Sequence, residues 1–277
     1  MTVSVHPRVV LLDIDGTLLN YRAELPASAA AAVCGARANG HKVYLCTGRS
    51  RAEVYPELWD LGVDGLIGGN GSYVEDAGRV VFHQAMDADV VARAIAWLDE
   101  RALGYYLECN AGLFASANLP EAAAVAIGRP GADGEAFVRG VFAGMHYGTV
   151  TARADVNKIS FALVPGLDLD GLAREFAGRA RIDTWSATGT GPEFGEFGQF
   201  GIHKGAAVER LAAHLGVPLS DLIGVGDARS DLELLTTCGT GVAMGNAPEE
   251  LKAVADLVTD HVDDDGLAHA FAALGLV

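Results

Sequence analysis

The chain has 277 residues, half of them hydrophobic, with 36 acidic against 20 basic side chains and a formal net charge of −16. At ~150 residues per domain this is material for one or two globular domains with sizeable cores. The negative balance gives no support to binding a nucleic-acid backbone or an anionic membrane, and no apolar run approaches the ~18 residues of a membrane span, so small solutes are the expected partners.

Cys34, Cys46, Cys109 and Cys238 lie far apart with no CxxC pair, and MTVSVHPRVV lacks a charged segment followed by an apolar export segment. A reduced, cytoplasmic protein is expected on both grounds.

In chain order, Val9 to Leu12 is an apolar run too short for a helix, which suits a strand buried on both faces of a parallel sheet. Pro26-Ala27-Ser28 opens an Ala-rich helix to Ala38 that stops at Asn39-Gly40. KVYLCTGR reads as a second strand, Ser50 to Leu61 as a helix, and GLIGGNGSYV as a third strand with a Gly/Asn turn. Strand alternating with helix predicts a doubly wound, Rossmann-like parallel sheet, whose ligands sit beyond the carboxyl ends of the strands.

Between Phe82 and Ala187 the alternation is lost. Candidate helices at Ala88–Arg101 and Leu169–Gly178, with strands at Gly104–Cys109, Asn157–Val164 and Arg181–Trp185, predict an inserted α+β domain over 82–189. Gly189-Thr190-Gly191-Pro192 is the expected return linker, so the core comprises 1–81 and 190–277. There the first pattern resumes, with a helix from Lys204 to Leu215, LIGVGD as strand and turn, a helix from Asp231 to Thr237, GVAMGN as strand and turn, and a helix from Pro248 to Ala255.

Burying an unpaired carboxylate is costly, so a strand that ends in two of them needs a reason. Asp13 and Asp15 leave the first strand two residues apart and can face one pocket, while Gly16 permits a sharp turn and Thr17 offers a hydroxyl and an amide to an anion. LCTGR supplies Thr47 and Gly48 at a second strand end, a setting that suits phosphate. HKG sets Lys204 at a helix start, and GVGDARSD sets Asp227 and Asp231 around another strand end. Four aspartates against one lysine would repel a phosphate unless a hard cation joined them. Magnesium fits, since it takes oxygen ligands from one or two carboxylates plus a substrate phosphate.

DIDGT, CTGR, HKG and GDARSD, in this order, resemble the four motifs of the haloacid dehalogenase (HAD) superfamily phosphatases. GGNGSYV, GVAMGNAPEELKAVADLVT and DDDGLAHAF resemble the Cof-type branch with a large α/β cap of class IIB kind, and VNKISF is the most similar cap segment. The resemblance implies a magnesium-dependent phosphomonoester hydrolase of a small phosphorylated metabolite such as a sugar phosphate, pyridoxal phosphate or flavin mononucleotide. It implies Asp13 as nucleophile and Asp15 as general acid/base with its backbone carbonyl on magnesium. Thr47, Gly48 and Lys204 are implied to bind phosphate. Asp227 is implied as the principal metal carboxylate and Asp231 as a supporting one, with Asn70 and Asn246 near the substrate mouth. Ser230 departs from the pattern, because the family's usual asparagine before that aspartate is here a shorter hydroxyl.

Each motif alone has a plainer reading. Strand-end aspartates cap turns, Thr47 could cap a helix, and Lys204 could be solvated. His203 reads as a solvated or capping residue, Cys46 as a buried thiol, Asp263-Asp264-Asp265 as a solvated turn, and Val91, Ile95, Trp97 and Leu98 as core. Four motifs in order outweigh four coincidences. A sugar phosphomutase and a non-catalytic phosphometabolite-binding protein stay open as alternatives. A response-regulator receiver lacks both the second aspartate and a large insertion.

Overall fold

The computed structural model describes residues 7–142, 144–151, 153–186 and 191–277. The chain opens with β1 (Val9–Leu12), α1 (Ala27–Ala38) and β2 (Lys42–Cys46). The expected helix over Ser50–Leu61 is split into a 3-10 turn at Arg51–Glu53 and the short α2 (Pro56–Asp60). Pro56 causes the break: the residue before a proline is driven out of helical backbone, and Tyr55 is extended at φ −61°, ψ 139°. Then come β3 (Gly65–Gly68) and two strands absent from the sequence reading, β4 (Tyr73–Asp76) and β5 (Arg79–His83). They form an antiparallel hairpin across Ala77 and Gly78, both at positive φ. An alanine there is not one of the usual hairpin-turn signals.

The middle of the chain supplies α3 (Ala88–Glu100), β6 (Tyr105–Cys109), β7 (Gly112–Ser116), α4 (Leu119–Ala126), α5 (Ala132–Val141), β8 (His146–Gly148), β9 (Val156–Ala162), α6 (Leu169–Glu175), β10 (Arg181–Trp185) and β11 (Phe194–Gly198). The last part adds α7 (Lys204–Leu215), β12 (Leu222–Gly226), α8 (Leu232–Thr237), β13 (Thr240–Ala243), α9 (Glu249–Lys252), β14 (Leu257–Val258) and α10 (Gly266–Ala273).

Two compact units result, one of residues up to 48, 54–83 and 202–277, the other of 49–53 and 84–201. Of the expected return linker, Gly189 and Thr190 lie outside the described residues. Residues 191–201 group with the second unit, because β11 pairs with β10 and β9 there.

The first unit is built on an eight-stranded sheet in the order β14-β13-β12-β1-β2-β3-β4-β5, parallel from β14 to β3. Its central strands, β13, β12, β1, β2 and β3, are buried on both faces. Val10, Leu12, Val43, Leu45 and Val225 meet α1 and α10 on one side, while Val9, Leu11, Tyr44, Leu222 and Ala243 meet α7 and α8 on the other. This double coverage explains the continuous apolar runs.

The second unit carries a six-stranded sheet in the order β10-β11-β9-β6-β7-β8. One face buries Leu107, Ile159, Phe161 and Phe197 with Val91, Trp97 and Leu98 of α3, so the helix's apolar stripe is core. The opposite face carries Tyr106, Ala162 and Phe194 among apolar partners from α4 and α5. Alternation puts Glu108, Lys158, Ser160 and Glu196 on that same face, as an ionic group. Lys158 Nζ lies 2.7 Å from Glu196 Oε2 and 3.2 Å from Glu108 Oε2, while Ser160 Oγ donates to Glu108 Oε1 at 2.6 Å. Burial, then the charge of Glu53, hold the Glu108 carboxyl well above its usual range against the pull of Lys158. Among the described residues no helix is long and apolar enough to cross a membrane.

Candidate active site

Register brings three motifs to one edge of the first unit. Leu12 is level with Leu45 in β2 and with Val225 in β12, so Asp13, Thr47 and Asp227 all follow strand ends on the same side. Ladder bonds run past the strands: Asp13 N donates to Val225 O at 3.0 Å and Thr47 N to Ile67 O at 2.8 Å. Neighbouring strands with opposite onward connections leave a crevice beyond their ends, and the β1/β12 boundary is such a place.

The turn after β1 is closed by its own backbone. Leu18 N and Leu19 N donate to Ile14 O at 3.0 and 2.8 Å, and Ile14, Leu18 and Leu19 are buried beneath it. Gly16 has φ +87°, and a Cβ there would come within 2.2 Å of Asp227 Oδ2, so both the dihedral and the close approach call for glycine. At Gly226 a Cβ would meet Asp231 Cγ at 2.4 Å, which lets Asp231 fold under the strand end.

Lys204 opens α7, whose N-cap His203 accepts from Ala206 N through Nδ1 at 3.3 Å, a capping role for that histidine. The lysine is buried, with Nζ 2.6 Å from Asp13 Oδ1 and also in contact with Asp231 Oδ1. Asp231 Oδ2 accepts from Asp227 N at 3.1 Å and Ala228 N at 2.9 Å, so this carboxylate shapes the turn and holds the lysine at once.

Asp227 is held from several sides. Thr17 Oγ1 donates to Oδ1 at 3.1 Å, while the Tyr21 hydroxyl at 2.6 Å and Asn246 Nδ2 at 3.1 Å reach Oδ2. The same amide reaches Gly16 O at 2.8 Å and the Tyr21 oxygen at 3.0 Å, and Asn246 Oδ1 accepts from Val262 N at 3.0 Å. Asn246, read from the sequence as lying near the substrate mouth, is thus found bracing the strand-end loops. Tyr21 is a site residue that sequence reasoning missed, and NYRAEL carries no motif that would have revealed it.

Ligand atoms of Asp13, Asp227 and Asp231 all lie within 4.8 Å of one another, and all three residues are buried. The ammonium ion-paired with Asp13 and Asp231 is that of Lys204. The excess negative charge shows in the acidities. Burial, then Asp231, push the Asp13 carboxyl well above the usual range although Lys204 pulls it down, and burial lifts Asp227 to about 6. The carboxylates in turn hold Lys204 protonated, overcoming the cost of its burial. An all-oxygen, net-negative set of this kind fits a hard divalent cation. Burial pushes the Cys46 thiol up, in keeping with an inert strand-end cysteine.

The other candidates fall around this cluster. Asp15 is exposed at the turn and its charge acts on Asp13. Gly48 faces Asn70, whose Oδ1 would lie 3.1 Å from an added Cβ, and Asn70 N donates to Thr47 O at 3.1 Å from a left-handed backbone at φ 55°. Ser230 is exposed in the 3-10 turn that presents Asp231. In the acidic run near the C-terminus, Asp263 Oδ1 accepts from Asn20 Nδ2 at 3.0 Å and Asp265 Oδ1 from Ser28 Oγ, so it ties loops together.

A parallel α/β core that gathers buried carboxylates and one lysine at its strand ends, interrupted by a second α+β unit, defines a hydrolase of the capped phosphoryl-transfer class. Residues 10–271 match the model of the haloacid dehalogenase-like hydrolase family, and the chain belongs to that family. It is 27% identical over 279 residues to phosphatase YwpJ of Bacillus subtilis (strain 168), covering 95% of this chain and 98% of that protein. It is 26% identical over 289 residues to 5-amino-6-(5-phospho-D-ribitylamino)uracil phosphatase YwtE of the same organism, covering 95% and 96%. In fold it matches the HAD subclass IIB sugar phosphatase BT4131 with a TM-score of 0.77 at 23% identity, over 98% of this chain and all of that one.

Proposed function

We propose that the protein is a magnesium-dependent phosphomonoester hydrolase acting in the cytoplasm on a small phosphorylated metabolite. The observation that supports this reading is the buried contact of Lys204 with Asp13 beside Asp227 and Asp231, which agrees with one carboxylate acting as nucleophile while the others manage charge. Small phosphorylated compounds are also what the name of relative YwtE specifies.

Asp13 and Asp227, with the backbone carbonyl of Asp15, would hold the cation, and Asp231 would support it. The cation supplies positive charge against which phosphate oxygens can approach the carboxylates. An oxygen of Asp13 attacks phosphorus, an acyl-phosphate bond forms, and the bond from phosphorus to the substrate oxygen breaks. Asp15 gives its proton to that leaving oxygen, then takes one from the water that cleaves the aspartyl phosphate. Lys204, Thr47 and Gly48 bind and orient the phosphoryl oxygens. Selectivity for the organic part falls to the inserted unit.

A phosphate-release screen over sugar phosphates, pyridoxal phosphate and flavin mononucleotide, with and without magnesium, tests the reading. Metal-dependent release that vanishes in Asp13→Asn is the expected result. Binding without release across the panel would refute hydrolysis, and transfer of phosphate between substrate positions without net release would make the enzyme a mutase.

A further inference from the structure

Tyr21 is an exposed residue, 66% accessible, yet its hydroxyl donates to Asp227 Oδ2 at 2.6 Å. Packing gives no reason for that contact, because a residue this open to water gains little from any one orientation. Nor does the loop need the contact to close. Gly16 N donates to Leu19 O at 2.8 Å, Asn20 N to Glu24 O at 3.0 Å, and Ala23 N to Asn20 O at 2.9 Å, while Asn20 Nδ2 reaches Asp263.

A count of lone pairs on Asp227 shows what the contact does. Each carboxylate oxygen accepts two hydrogen bonds in its plane. Oδ2 takes the Tyr21 proton at 2.6 Å, its shortest contact, while Asn246 Nδ2 at 3.1 Å has two protons to divide among Oδ2, Gly16 O and the Tyr21 oxygen; Oδ1 takes one bond from Thr17 and keeps one position open. We propose that Tyr21 is a positioning residue for the metal site: by its short hydrogen bond to Oδ2 it stops the carboxylate of Asp227 from rotating and leaves the open lone pair of Oδ1 for a divalent cation. This rests on the reading that Asp227 ligates the metal. A neutral phenol suits the task, since it steadies the carboxylate without adding a positive charge that would compete with the cation. Partners that orient a metal ligand from outside the coordination sphere typically affect affinity by 10–100-fold.

The test is Tyr21→Phe in the full chain, which removes one oxygen from an exposed residue. Magnesium is titrated into purified wild type, Tyr21→Phe and Asp227→Ala without substrate, by calorimetry and by the metal-dependent rise in melting temperature. Tyr21→Phe is expected to melt like wild type without metal and to bind magnesium roughly tenfold more weakly. In turnover, the magnesium concentration for half-maximal rate should rise while substrate KM at saturating magnesium stays put, a split that a loosened fold would not produce. Unchanged or tighter magnesium binding in Tyr21→Phe, beside loss in Asp227→Ala, overturns the role of Tyr21. Unchanged binding in Asp227→Ala overturns instead the ligand assignment beneath it.

Discussion

Lys204 Nζ lies 2.6 Å from Asp13 Oδ1 across 191 residues of chain, and both side chains are buried. The pair joins the end of the first strand to the start of the helix that follows the inserted unit. Its chemistry follows from its setting, because an ammonium that also serves Asp231 cannot neutralise two carboxylates alone.

Lys204→Met leaves Asp13 and Asp231 buried without their counter-charge. Breaking a buried pair from one side costs about 3–5 kcal/mol, and that loss is expected in urea unfolding without divalent ions. Magnesium should restore part of it. A variant as stable as wild type would show that the carboxylates had taken up protons instead of needing the lysine.

Asp13→Asn keeps the shape and removes the proposed nucleophile together with one of the crowded charges. Steady-state phosphate release is expected to fall by roughly a thousandfold or more, with a melting temperature no lower than that of wild type. Retained turnover would take the nucleophilic role away from Asp13.

Gly16→Ala forces a side chain into a left-handed backbone and toward Asp227 Oδ2, which stands 2.2 Å from the added carbon. The dihedral alone costs about 1–2 kcal/mol, and the carboxylate must also shift. Both lower stability and a weaker magnesium response are expected, measured by urea unfolding and metal titration. Lower stability with an unchanged metal response would mean that the turn yields while Asp227 stays in place.

Glu108 offers a pH test within the second unit. Its carboxyl is raised by burial and by Glu53, so the folded state holds the proton more tightly than the unfolded chain does. The associated stability is complete below the ordinary carboxylate range and is lost as pH rises through that range toward the raised value. Glu108→Gln keeps an acceptor for Ser160 and does not titrate. Its melting temperature is therefore expected to gain on wild type as pH rises from the ordinary carboxylate range toward the raised value. A constant difference across that range would mean that Lys158 keeps Glu108 ionised throughout.

What could be read without coordinates was whatever a short segment carries by itself. VVLLD, KVYLCT and LIGVGD each announce a buried strand ending in polar groups, and their alternation with α1, α7 and α8 defines the parallel sheet. Asp13, Thr47, Lys204 and Asp227 were visible for the same reason, since each stands where an apolar run stops or a helix starts. The tertiary structure alone decided the rest. The hairpin of β4 and β5 turns on an alanine that gives no turn signal, and β11 joins the second sheet through pairing with β9 and β10. Tyr21 reaches Asp227 across 206 residues, and Asn246 braces Gly16 across 230. Periodicity and turn chemistry are local and so are written in the sequence. Which lone pair meets which donor depends on strand register and on a loop's path through space, and only the folded chain fixes those.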